Sequence, residues 1–258
     1  MNQKGFSFVE VSIVVAVVAI LGLVGWRLFI QSSSSDPTQT QENSSSSNTA
    51  DGNSDEADIA LQNIGLQSIE DVDVTTQAVR EYGSNGLKGF YVFGDKLSGG
   101  RLNPNFEYAS LRSGTKVVSA IDGVVGFIKQ QSDSNDFEVF IQPKDGSMWT
   151  IGYDHITNVT VKKGDTVRSG DVIGEPAVQN NGLLRFELQI NKDENGVTTH
   201  YCPSALLASS VRDKYLNELA TMQNKWEEKT ALDLYDISTQ SPIGCLKETL
   251  SVAEAEGR

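Results

Sequence analysis

Residues 181–190 read NGLLRFELQI, and how this stretch is read decides the fold. Side chains alternate across a strand, so Leu184, Phe186 and Leu188 share one face while Leu183, Arg185 and Glu187 share the other. An apolar face backed by a face with a charge pair is the pattern of an antiparallel strand packed on a core from one side only. The runs on its N-terminal side agree. VVSAIDGVVGFI (117–128), DFEVFIQPKDGSMWTIGYDHI (136–156) and VKKGDTVRSGDVIGEP (161–176) are each rich in β-formers. Asp122-Gly123, Asp145-Gly146 and Ser169-Gly170 supply turns between them. The expected fold is mainly β, an antiparallel sheet roll or sandwich over residues 90–207.

Flanking segments extend this plan. Residues 58–89 have mixed periodicity and read as short helices or an edge strand, without assigned chemistry. In residues 208–258, Val211, Tyr215, Leu219, Met222 and Trp226 recur at helical spacing. That stripe suits a helix packed on the sheet, or one that enters a partner's groove.

With 258 residues, 38% hydrophobic, the chain can bury one sizeable core or two small ones. A formal net charge of −13 and the lack of a basic patch exclude nucleic acid as a partner. The acidity reads as a solvated surface.

The N-terminus, MNQKGFSFVEVSIVVAVVAILGLVGWRLFI, is largely apolar from Phe6 to Trp26, with one acid, Glu10. This is close to the roughly 20 residues that a spanning helix needs. A signal and transmembrane helix are expected over residues 1–30, with Lys4 on the cytoplasmic side and the rest of the chain extracytoplasmic. Residues 31–57 are Ser-rich, polar and free of aromatics, a disordered tether. A coil of about 25 residues spans on the order of 25–30 Å, enough to lift a domain off a bilayer. Lys4-Gly5-Phe6 followed by Glu10 resembles the type IV prepilin signal. That resemblance implies a prepilin peptidase cutting between Gly5 and Phe6, methylation of Phe6, and a Glu10 that pairs with a neighbouring subunit during assembly. An ordinary anchor with a glutamate near the interface is the alternative. Pilin helices run on into their globular heads, whereas this one ends near Ile30.

Export bears on the two cysteines, Cys202 and Cys245. In an oxidising compartment they can form one disulfide, with an entropic value of about 4 kcal/mol in the chain model. Two free thiols are the alternative.

Over residues 90–207 four stretches together resemble the lysostaphin or LytM-type zinc endopeptidases of peptidoglycan, which have the duplicated hybrid motif fold. Gly114-Thr115, Val117 and Ser119–Val125 resemble the family's G-T-x-V-x-A-x-x-D-G-x-V. Tyr153-Asp154-His155-Ile156 resembles Y-x-H-L. Gly164-Asp165-Thr166-Val167 with Gly170, Ile173 and Gly174 resembles G-D-x-V-x-x-G-x-x-I-G. Leu183–Glu187 stands where the family has H-L-H-F-E. In active members an H-x-x-x-D motif and the second histidine of H-x-H hold zinc and leave one position for water. Here Arg185 stands at that second histidine and Leu183 at its partner. Counting back from Gly114 puts Tyr108 at the aspartate and Pro104 at the histidine. With two histidines in the chain, neither followed four residues later by aspartate, no H-x-x-x-D exists. A guanidinium has no basic form near neutral pH and cannot ligate a dication.

His155 matches the family's catalytic histidine, which without zinc is a relic or a hydrogen-bonded structural residue. Arg185 and Glu187, with Tyr153, can line a peptide groove, or form a solvated ion pair worth under about 1 kcal/mol. A replacement metal site from His155, His200 and Cys202 is a minor alternative. The expectation is a membrane-anchored pseudoenzyme without zinc or any other cofactor, whose partners are peptidoglycan or a cell-wall hydrolase. The alternatives are a pilin-like surface or filament subunit, an active zinc peptidase with atypical ligands, and a membrane-fusion-type adaptor. The last is suggested by SAIDGVVGFI and VKKGDTVRSGDVIG, which resemble the halves of a biotinyl-lipoyl motif.

Overall fold

A computed structural model describes residues 59–258 except 82, 84, 85 and 133. The expected membrane helix, the linker, and Gly5, Phe6 and Glu10 lie outside the described residues. Asp55–Arg258 is one of two compact units of the chain. Among the described residues no helix is long and apolar enough to cross a membrane.

After a lead-in that holds helix α1 (Thr76–Glu81), the chain is built from short strands: β1 (Phe90–Tyr91), β2 (Asn105–Leu111), β3 (Val117–Val118), β4 (Gly123–Gln130), β5 (Phe137–Gln142), β6 (Trp149–Thr157), β7 (Thr166–Val167), β8 (Val172–Val178), β9 (Leu184–Glu194) and β10 (Val197–Tyr201). Helix α2 (Ser209–Thr230), β11 (Thr249–Ser251) and α3 (Val252–Glu256) follow. The β-branched and aromatic residues at alternate positions of β5, β6 and β9 explain why these runs pair as strands. Among the described residues every pairing between these strands is antiparallel, as expected of a mainly β roll.

The 11 residues of β9 make it the spine of the sheet. β2 and then β10 pair along one edge of it. β8 and β6 share the other edge, and β5 and β4 extend the sheet beyond β6.

The inner face is apolar. Phe186, Leu188 and Ile190 of β9, Phe106 and Tyr108 of β2, and Ile151 and Tyr153 of β6 are fully buried. Tyr108 stacks on Phe186 with ring centroids 5.7 Å apart. The lead-in packs into this same core through Leu61, Ile64 and Leu66, tied by isolated bridges from Leu61 to Leu207 and from Leu66 to Val117. Helix α2 buries Tyr215, Leu219, Met222 and Trp226, so the stripe read from the sequence turns into this protein's own core. The Trp226 indole fills the space where a side chain at Gly89 would stand. A disulfide joins Cys202, after β10, to Cys245 near the C-terminus, with Cα atoms 5.9 Å apart.

Candidate functional site

The outer face of the sheet carries the polar residues, because the alternation that sends Phe186 and Leu188 inward sends Arg185, Glu187 and Gln189 outward. Register then decides which neighbours they meet. Glu107 of β2 lies opposite Glu187, and Asp154 of β6 flanks Glu187 on its other edge. Between β5 and β6 the register slips by one residue, so that Glu138 alone opposes both Asp154 and His155. This bulge sets His155 at φ 59°, a left-handed conformation for which histidine is one of the more tolerant residues. Without it, His155 would follow Tyr153 into the core. The bulge turns it to the open face.

Arg185 holds the centre. Its Nε lies 3.1 Å from Glu107 Oε1, and its Nη2 pairs closely with Glu187 Oε1. Asn105 donates to the other oxygen of Glu187. His155 Nδ1 lies 2.7 Å from Oδ2 of Asp136, a carboxylate only 2% exposed. Because an ionised carboxylate only accepts, His155 donates from Nδ1 and turns Nε2 to the site. That Nε2 is 3.7 Å from Glu187 Oε1 and 3.9 Å from Asp154 Oδ2. Burial pushes the Glu107 carboxyl up to about 7, with the adjacent Glu187 adding and Arg185 opposing. Glu138 is raised to about 7 for the same first reason, with Asp154 adding to it. Beside Arg185 and His155 a groove of about 400 Å³ opens, walled also by Ser134, Gln179 and Asn181.

Zinc chemistry is what the sequence resemblance implies for this place, and the side chains present do not fit it. Among the described residues, Asp154, His155 and Glu187 bring ligand atoms within 4.8 Å of one another. The Glu187 oxygen that faces His155 is the one paired with Arg185, and its other oxygen accepts from Asn105. A dication here would have to compete with the Arg185 guanidinium for Glu187 and would stand close to that fixed positive charge.

Several residues singled out in the sequence lie elsewhere. Tyr108 is a correction by one residue: it is fully buried on the inner face, its hydroxyl donating to the Ile64 carbonyl at 3.1 Å. On β2, Glu107 is the residue that reaches Arg185. Pro104 offers no ligand atom, and four residues before Glu107 stands Asn103, 1% exposed, whose amide donates to the Val92 carbonyl at 3.2 Å. Leu183, 9% exposed, precedes β9 as an apolar contact. Tyr153 is not a groove residue, because alternation along β6 buries it completely and its hydroxyl accepts the Ala120 N–H at 2.7 Å. His155, His200 and Cys202 make no common site: Cys202 is bonded to Cys245, and His200 Nδ1 is 2.7 Å from Asn191 Oδ1.

Glu107, Asp136, Glu138 and Asp154 escaped the sequence reading. The alternation of N-F-E-Y at 105–108, with both aromatics inward, is the signal that could have found Glu107. Nothing local marks Asp136, whose partner is 19 residues away.

Comparison with known proteins adds the following. None of the curated proteins matches the chain. Among solved structures, the catalytic domain of the prophage-encoded M23 protein EnpA from Enterococcus faecalis is 21% identical over 42% of this chain and 85% of its own, with a TM-score of 0.34. Lysostaphin from Staphylococcus simulans is 18% identical over 45% of this chain and 47% of its own, with a TM-score of 0.35. Helicobacter pylori Csd3 is 17% identical over 70% of this chain and 45% of its own, with a TM-score of 0.39. Residues 1–26 match the prokaryotic N-terminal methylation motif. Residues 108–198, which carry the Arg185, Glu187 and His155 face of the sheet, match Peptidase family M23, so the chain combines an M23 peptidase-like domain with a prepilin-type N-terminal motif.

Proposed function

We propose that this protein is a membrane-tethered, extracytoplasmic M23-like domain that binds peptidoglycan, or a hydrolase acting on it, and does not cut. One observation carries the reading. The Arg185 guanidinium stands between Glu107 and Glu187, supplying a permanent cation where the resemblance would place a metal. A guanidinium cannot take water as a ligand or lower its pKa, so hydrolysis of the metal-assisted kind has no reagent here. What the face retains is suited to recognition: a groove beside Arg185 and a histidine oriented by a buried aspartate.

The N-terminal match supports processing by a prepilin peptidase between Gly5 and Phe6, and anchoring in the membrane by the apolar segment that follows. That same match favours a second reading, a pilin-like surface subunit, which N-terminal sequencing and recovery of sheared filaments would test.

The test of the main reading is elemental analysis of residues 55–258 after zinc loading, run beside release of soluble fragments from peptidoglycan and co-sedimentation with it. Sub-stoichiometric zinc, no release and co-sedimentation are expected. Stoichiometric zinc together with release would overturn the reading.

A further inference from the structure

Away from Arg185, the same outer face carries a row of residues that crosses five strands in register. Phe127 of β4 lies opposite Phe140 of β5, Phe140 opposite Gly152 of β6, Gly152 opposite Gln189 of β9, and Gln189 opposite Asn105 of β2. Phe127 is on this face because of a second bulge. Val125 is fully buried opposite Ile141, and strict alternation would send Phe127 inward as well; the register slips at Gly126 and turns Phe127 outward against Phe140. The ring is left 51% exposed, with its centroid 5.9 Å from that of Phe140.

Exposing an aromatic ring through a backbone irregularity opposes the hydrophobic effect, and such irregularities recur where a side chain is aimed at a task. Around these rings, Gly126, Gln142, Thr150 and Asn191 complete the walls. The resulting trough is about 470 Å³, within the roughly 300–1,000 Å³ of small-molecule sites.

The rim specifies the chemistry. Gln142, Thr150 and Asn191 bring both donors and acceptors. Lys129 and Lys163 stand among Glu138, Asp145 and Asp193, and Lys129 lies 3.9 Å from Glu138. Charges of both signs interleave, so the trough selects neither an anion nor a cation. Gln142 already donates to the Ser147 carbonyl at 3.2 Å and Asn191 to Gln189 Oε1 at 3.0 Å, and each amide has further hydrogen-bonding capacity that a ligand hydroxyl can use. A neutral ring with C–H groups on its faces and hydroxyls around its edge satisfies both parts: the C–H face meets the electron-rich face of the aromatics, and the hydroxyls meet the rim.

We propose that the Phe127–Phe140 trough is a carbohydrate site that takes a neutral pyranose of a glycan chain. The proposal deepens the peptidoglycan-binding reading and rests on it for the source of the glycan.

Two measurements on residues 55–258 separate the two ideas: calorimetric titration with the β-1,4-linked trisaccharide of N-acetylglucosamine, and co-sedimentation with insoluble peptidoglycan. Wild type should bind the trisaccharide, Phe127→Ala should weaken it about tenfold or more, and Phe127→Tyr, which keeps a ring, should retain it. Because Phe127 is half exposed, Phe127→Ala should unfold at the wild-type temperature, which excludes misfolding as the cause. Trisaccharide binding that Phe127→Ala leaves intact overturns the trough. Sedimentation without trisaccharide binding overturns the carbohydrate site and leaves wall binding standing, and neither kind of binding overturns both.

Discussion

Replacing Arg185 by methionine tests whether the guanidinium substitutes for a metal by neutralising the acids around it. The side chain is 29% exposed, and its two partners, Glu107 and Glu187, are 14% and 9% exposed. Removing one partner of a fully buried ion pair costs about 3–5 kcal/mol. Partial exposure of the guanidinium places the loss at the lower end, about 2–3 kcal/mol at pH 8. At that pH Glu107 is ionised in the wild type and faces Glu187 across adjacent strands, so the variant must either hold the pair without a counter-charge or take up a proton. The loss should depend on pH. Glu107 is already raised to about 7 with Arg185 opposing the shift, so without Arg185 it rises further and is protonated at pH 5.5. A protonated Glu107 can donate to Glu187, and the cost of the substitution should fall below about 1 kcal/mol. Urea unfolding of residues 55–258 and its Arg185→Met variant at the two pH values measures both numbers, and Arg185→Lys should recover part of the stability at pH 8. An equal loss at pH 5.5 and pH 8, or no loss at pH 8, would refute the electrostatic role of Arg185.

Further outcomes follow from the same face and from the core. A carboxyl raised in the folded state makes that state bind more protons than the unfolded chain, so its stabilisation is full below about 4.5 and is lost as pH rises through about 7. Wild-type stability should therefore decline over that window, and Glu107→Gln should flatten the slope by up to about 1.4 kcal/mol per pH unit. Subtracting one titration of urea midpoints from the other removes the opposite contribution of His200, which burial holds below its usual value. Tyr153→Phe leaves the Ala120 N–H without its buried acceptor and should cost about 1–3 kcal/mol by urea unfolding; a loss under about 0.5 kcal/mol would show that water replaces the hydroxyl. Replacing both Cys202 and Cys245 by alanine opens a loop of sequence separation 43 and should remove about 4 kcal/mol, read as a lowered thermal midpoint insensitive to reductant.

Much of the fold could be read from one dimension, because strand patterns are local. The alternation in 183–190 identified β9, its buried face and the outward placement of Arg185 and Glu187, and the period of 211–226 identified α2. The absence of an H-x-x-x-D motif was equally plain, since it depends only on residue identity. Sequence counting faltered wherever a single residue of offset matters. It placed Tyr108 beside Arg185 and Tyr153 in a groove, whereas each is buried opposite to that face. The reason is that faces alternate every residue, so an error of one inverts the orientation of a side chain.

What the sequence by itself determined is the chemistry available: an antiparallel β domain behind an apolar, prepilin-like N-terminus, and an arginine and a glutamate on the polar face of one strand. Tertiary structure alone decided which groups meet. Glu107 and Glu187 are separated by 80 residues and become cross-strand neighbours only through pairing. Asp136 reaches His155, and Phe127 reaches Phe140, only because two bulges shift the register by one residue. Register depends on the fit of a whole sheet to its core, and no short window contains that information.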